Sequence, residues 1–234
     1  MKAIIKRELS AYFRSPAGYV FCAVYLFFSA LYFRAVLIDM QSAQFPEIYS
    51  GMLNINLLIL PVLTMRLFSE ERRLKTDQVL ITSPVSVFSL VMGKFLAALC
   101  VYAGCTLFTL VYAAVFSLFT SPGWALIIGN IAGAILFGAA FIALGMFISS
   151  LTESQVVAAI GTFFISTIFI LLDVLPVLIT NKTALSVIKW ISFVGRYTPF
   201  TEGLLDFSSV VFFLSATALF IFLTVRTIER RRWS

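Results

Sequence analysis

Histidine is absent from all 234 residues. That removes imidazole metal ligands, an imidazole general base and any Ser-His-Asp relay. Charge is scarce: 12% of residues are Asp, Glu, Lys or Arg, where a soluble domain carries about 25%. The acidic residues Asp39, Glu47, Asp173, Glu202 and Asp206 are scattered, with no paired carboxylates on one helix face to support intramembrane catalysis. Asp173 reads either as an interfacial carboxylate paired with an outer lysine or as an ion-coupling group. No nucleotide-binding loop is present, because Gly93-Lys94 is followed by Phe95 and Phe88 stands where the first glycine would be required. The three cysteines, Cys22, Cys100 and Cys105, lie inside apolar runs and read as small buried hydrophobes, not as a disulfide framework. The opening residues MKAIIKRELSAYFRSP lack the apolar core and cleavage site of a secretory signal, so a retained N-terminus is expected.

Apolar residues fill the space these absences leave. The chain is 61% hydrophobic with 25 phenylalanines, and its mean hydropathy is +1.02. Six apolar runs, at 19–38, 51–68, 88–119, 124–149, 155–179 and 208–228, are continuous and lack period-2 alternation. They predict an all-α integral membrane protein with six transmembrane helices in a single domain over 1–234. With the N-terminus inside, thirteen of the 17 basic residues fall on the cytoplasmic side, while Arg34, Lys182, Lys189 and Arg196 lie opposite. This asymmetry places both termini in the cytoplasm and explains the net charge of +6 without nucleic acid.

Before the first span, Ile5, Leu9, Tyr12 and Phe13 recur at helical spacing opposite Lys2, Lys6, Ser10 and Arg14. The segment 2–16 is either an amphipathic helix in the interface or a positively charged anchor, ended by Ser15-Pro16 and turned into the membrane near Gly18. Pro61 is expected to kink the second span. Gly129-x-x-x-Gly133 and Gly138 form a small-residue surface for packing within one subunit or across a dimer. The external segment 180–207 carries Ile188, Trp190, Ile191 and Phe193, and it either lies in the outer interface or dips back into the bundle.

One polar island interrupts the first half. SEERRLKTDQVLITSPVS holds six charged residues, Glu70, Glu71, Arg72, Arg73, Lys75 and Asp77, between spans two and three. Over 69–83 it predicts a short helix with Ser69 as N-cap and Leu74 and Ile81 on one side, stopped at Ser83-Pro84, where Ser83 could cap the next helix. A protein with neither a nucleotide site nor buried coupling ions must take its driving energy from elsewhere, and this loop is the best docking surface available for it.

Four stretches together resemble the membrane subunits of ABC-2 type transporters, and more closely their small gliding-motility-type and copper-site-maturation-type permeases. They are KRELSAYFRSP, EERRLKTDQVLITSPVSVFSLVMGKFLA, ISSLTESQVVAAI and FTEGLLDFSSVVFFLSATALFIFLTVRTIERRRW. The resemblance implies that 2–16 is an elbow helix and that the loop after span two is a coupling helix docking on a separate ATPase. Glu70, Glu71, Arg72, Lys75, Thr76 and Asp77 would then be the ATPase contacts. The family's usual Gly-Thr-Leu/Ile-Glu is here Lys75-Thr76-Asp77-Gln78, so the glycine is missing.

By the same analogy spans two and five face the transport pathway, nominating Asn54, Asn56, Leu60 and Thr64 on one and Thr162, Phe163, Ser166 and Phe169 on the other. The implied assembly is two permease chains, identical or related, with two ATPase chains that bind ATP and Mg; this chain itself holds no cofactor or metal. A phenylalanine-rich route suits an amphipathic, lipid-like or peptide substrate, exported across the cell membrane. The alternative is a nonenzymatic scaffold, or an assembly or force-transmitting subunit.

Overall fold

The computed structural model describes residues 2–35, 45–75, 86–117, 123–172, 190, 192–204 and 206–232, and among these the regular structure is helical, with no strand. The described helices are α1 (Lys2–Arg14), α2 (Pro16–Phe33), α3 (Phe45–Thr64), α4 (Ser69–Arg73), α5 (Val87–Phe116), α6 (Trp124–Leu151), α7 (Gln155–Leu171), α8 (Phe193–Thr201) and α9 (Phe207–Arg232). Among the described residues five stretches are long and apolar enough to cross a membrane, namely Pro16–Phe33, Glu47–Arg73, Val87–Val115, Trp124–Leu151 and Phe207–Arg231. The chain is an integral membrane protein. The expected fifth span is a shorter apolar helix, Gln155–Leu171. At 1.5 Å per residue its 17 residues reach about 25 Å, less than the ~30 Å hydrocarbon core. The remainder of that predicted span, 173–179, and Asp173 with it, lie outside the described residues.

Polar side chains set several helix starts. Ser86 caps α5 by accepting from Ser89 N at 3.3 Å, so the cap expected at Ser83 lies at Ser86 instead; Ser83 and Pro84 are outside the described residues. Ser154 caps α7 and Ser192 caps α8. Asp206 precedes α9 and accepts from Ser209 Oγ at 2.7 Å and from the backbone N–H groups of Ser209 and Ser208. The Ser209 hydroxyl, then the backbone donors, hold its carboxyl below the ordinary aspartate value.

α6 is the axis of the bundle. In its most apolar 18 residues 78% are buried, against 22% in the corresponding part of α2 and 28% in that of α9, and α3, α5, α7, α8 and α9 all pack on it. Its glycines make these approaches. Gly129 and Gly133 admit Phe200 of α8 and Gly203 in the turn after it, Gly138 lies against the Tyr102 ring of α5, and Gly145 lies against Thr64 of α3 and Thr162 of α7. The small-residue surface is therefore used for packing within the subunit. The described part of the external segment dips into the bundle: Phe193, Tyr197 and Phe200 of α8 are buried, and Phe193 meets Phe141, Phe169 and Phe212 at ring separations of 5.2, 4.9 and 5.1 Å.

A second stripe, on α5, fastens α2 and α3 through hydrogen bonds. Tyr102 Oη accepts from Asn56 Nδ2 at 3.1 Å and donates to Ala134 O at 3.1 Å. Thr106, Thr109 and Tyr112 meet Tyr25, Tyr49 and Ser29 at 3.1, 2.8 and 3.1 Å. Within apolar surroundings each such bond is worth about 0.6 kcal/mol, so the stripe fixes helix register more than it adds stability. On the same α2–α5 seam the thiols of Cys22 and Cys105 are 3.4 Å apart.

A methyl group at position 138 would collide with the Tyr102 ring, whereas one at Gly104 meets nothing within 4 Å. Gly138→Ala should cost about 1–3 kcal/mol of stability through overpacking. Gly104→Ala should be neutral or stabilising by up to about 1 kcal/mol. Thermal unfolding of the two variants in the same detergent checks the contrast.

Candidate functional site: an ion-paired junction of three helices

Charge returns where α1, α4 and the first turns of α5 converge. Lys94 is the eighth residue of α5 and the one charged residue in that helix, and its side chain is 2% exposed. A buried ammonium is tolerable only if its charge and its protons are matched. Two carboxylates from different helices do this: Glu71 Oε1 of α4 at 2.8 Å and Glu8 Oε2 of α1 at 3.3 Å. The Phe68 ring lies 5.3 Å from the ammonium and adds a cation–π contact. Arg7 bonds Glu8 at 2.6 Å and reaches Glu71 at 3.5 Å. Two cations and two anions thus join three helices.

The backbone lets α1 come this close. Gly93 faces Ile4, and a Cβ there would sit 2.7 Å from the Ile4 Cγ2. The dipeptide Gly93-Lys94 therefore serves as a contact followed by a clamp. Farther along α1, Tyr12 is buried and its hydroxyl donates to Leu63 O of α3 at 2.9 Å. At Gly18 any side chain would strike the Tyr12 carbonyl, so the tight α1–α2 corner requires glycine there. The helix expected on the first residues is present, and its inner face is Glu8 and Tyr12, while Phe13 is 47% exposed.

Two further contacts fix the start of the island. The Ser149 hydroxyl, near the end of α6, accepts from Phe68 N at 3.1 Å and Ser69 N at 3.2 Å and donates to Met65 O at 3.0 Å. It supplies the hydrogen bonds that the turn between α3 and α4 would otherwise lack. Arg66 holds Glu70 bidentately at 2.7 and 3.0 Å. Arg72 crosses to Glu153, in the turn between α6 and α7, at 2.9 Å. Its Nη1 is buried without a partner among the described residues.

The island departs from the sequence expectation in two ways. Phe68, not Ser69, occupies the N-cap, and it makes no side-chain cap bond; Ser69 is buried and its hydroxyl donates backward to Met65 O. The helix is also short, spanning Ser69–Arg73. It ends because Lys75 adopts a left-handed conformation at φ 55°, with Leu74 N and Lys75 N bonding Glu70 O and Arg72 O at 3.0 Å each. This is the position at which the resemblance expects glycine, and a left-handed residue is what glycine accommodates at least cost. Thr76, Asp77 and the rest of the loop to 85 lie outside the described residues.

The nominated pathway residues divide. Asn56, Leu60 and Thr64 of α3 and Thr162 and Ser166 of α7 are buried within this subunit. Asn54 is exposed, and Phe163 and Phe169 are half-buried. Thr64 and Thr162 both turn their hydroxyls to their own helix backbone, at Leu60 O (3.0 Å) and Ala158 O (2.7 Å). Among the described residues no group of three or more cysteine, histidine or acidic side chains could hold a metal.

Among the described residues of this helical membrane protein, a buried ion-paired junction joins a short helix to two longer ones. A family model described as "ABC-2 family transporter protein" matches residues 38–225. The chain belongs to that family, the membrane-spanning permease components of ABC transporters. No curated protein matches the chain.

Removing the ammonium while leaving its carboxylates should be costly. Lys94→Met should destabilise the protein by about 3–5 kcal/mol, and the triple change Lys94→Met, Glu71→Gln, Glu8→Gln should recover much of that loss. Lys75→Gly should stabilise the island by about 1 kcal/mol. Denaturation of the purified variants measures all three.

Proposed function

We propose that the chain is the permease subunit of an ATP-driven exporter in the cell membrane, both termini cytoplasmic, and that the junction around Lys94 transmits the motion of a separate ATPase. Two permease chains, identical or related, enclose the pathway and two ATPase chains bind below, carrying the ATP and Mg. The single observation that carries this reading is the buried Lys94–Glu71–Glu8 cluster. It joins the start of the island to α1 and α5, so a push on the island is delivered to two helices at once.

In this reading 2–16 is the elbow helix and 69–83 the coupling segment. Glu70, Glu71 and Arg72 face inward to hold it, as their pairs with Arg66, Lys94 and Glu153 indicate. Lys75, which is exposed, with Thr76 and Asp77 then meets the ATPase. ATP-driven closure favours one state of the bundle only if that state fits the ATP-bound engine better. The pathway lies along α3 and α7, whose exposed Asn54, Ile160, Phe164 and Ile168 suit an amphipathic, lipid-like or peptide substrate.

Purification of the native complex in mild detergent should recover a protein with nucleotide-binding motifs. Reversing the loop charges, with Lys75→Glu and Asp77→Lys, should lower its affinity by about tenfold or more, equivalent to 1.4 kcal/mol, without unfolding the permease. Recovery of no ATPase, or an unchanged affinity in a folded variant, would favour the nonenzymatic scaffold.

A further inference from the structure

Opposite the face of α5 that holds the α1 contact, Phe88, Met92 and Phe95 border a groove with Ala218, Phe222 and Val225 of α9. Its volume is about 360 Å3, within the range of small-molecule sites. The stretch of α9 that lines it, from Leu214 to Val225, is about 16 Å long at 1.5 Å per residue. The lining is apolar except for Thr217, whose hydroxyl proton is donated to Phe213 O at 2.7 Å, leaving no free donor in the groove. A long, dry trough of this kind fits a hydrocarbon chain.

The mouth of the trough supplies the other half of the argument. One turn beyond Phe222, the Arg226 guanidinium lies 5.3 Å from the Phe222 ring, and its side chain is 68% exposed. Arg226 is ion-paired to Glu229 at 3.6 Å but keeps most of its side chain exposed, and exposed Arg230 follows, leaving the end of the trough net basic. Apolar trough and basic mouth are thus contiguous on one helix, in the order in which a membrane lipid presents its chain and its headgroup.

We infer that the α5–α9 groove is a binding site for an anionic phospholipid of the leaflet at the arginine-rich end of α9, with one acyl chain along Phe88, Met92 and Ala218 and the phosphate at Arg226. The site is separate from the proposed pathway along α3 and α7. It lies on the helix that carries Lys94, so the bound lipid braces α5 where the ion-paired junction is attached.

A photoreactive benzoylphenylalanine in place of Phe88, which borders the trough and is largely exposed, in the full chain reconstituted in nanodiscs of phosphatidylcholine and phosphatidylglycerol in equal amounts, identifies the occupant by the mass of its adduct. The expected result is a phosphatidylglycerol adduct favoured about fivefold over phosphatidylcholine, the worth of one basic residue at an anionic surface. Arg226→Gln should abolish the preference while retaining the adduct. Ala218→Trp, which fills the trough without displacing buried groups, should reduce co-purified phosphatidylglycerol measured by native mass spectrometry. Equal adducts with both lipids, a preference indifferent to Arg226→Gln, or an adduct to a second copy of the chain would overturn the inference.

Discussion

The ammonium of Lys94 constrains much of the structure around it. A charge at 2% exposure cannot be left unmatched in apolar surroundings, so the folded state must bring carboxylates to it. One comes from α1 and the other from α4, elements 63 residues apart at Glu8 and Glu71. Satisfying one side chain therefore draws an N-terminal helix and a loop helix onto the same turn of α5. Hydrophobic packing could bury these helices in many arrangements. The requirement to neutralise one cation selects an arrangement with defined partners.

That selection gives the junction its mechanical character. Nondirectional apolar contacts allow neighbouring helices to slide, whereas a lysine shared by two carboxylates resists separation of either one. Ser149 and Arg72 extend the attachment to the end of α6 and the following turn through Phe68 N, Ser69 N and Glu153. Since α6 is the axis on which most of the other helices pack, the island connects to the centre of the bundle as well as to its edge. The left-handed Lys75 then marks where this firmly held portion ends.

The sequence was informative wherever one helix speaks for itself. Unbroken apolar runs defined an all-α membrane protein, and the resemblance in four stretches pointed to the family that residues 38–225 match. Span ends were less legible because caps decide them: Ser86 rather than Ser83 starts α5. The site was the least legible part. Lys94 was counted among the cytoplasmic basic residues, although a lone lysine seven residues inside an apolar helix was a sign that a distant acid must pair with it. Glu8 carried no sign at all, since its partner lies 86 residues away. The missing glycine at Lys75 was visible, but the left-handed backbone that gives it meaning appears only in three dimensions.

The central claim, that Lys94 makes α1 and the start of the island one mechanical unit, is tested most directly by a distance. Spin labels at the exposed positions Lys6 and Arg73, read by pulsed electron resonance in the membrane with the proposed ATPase partner co-expressed, report the α1–α4 separation with and without ATP. The account predicts one narrow distance distribution unchanged by nucleotide, broadening when Lys94 is replaced by methionine. A separation that changes with ATP in the unsubstituted protein would contradict it.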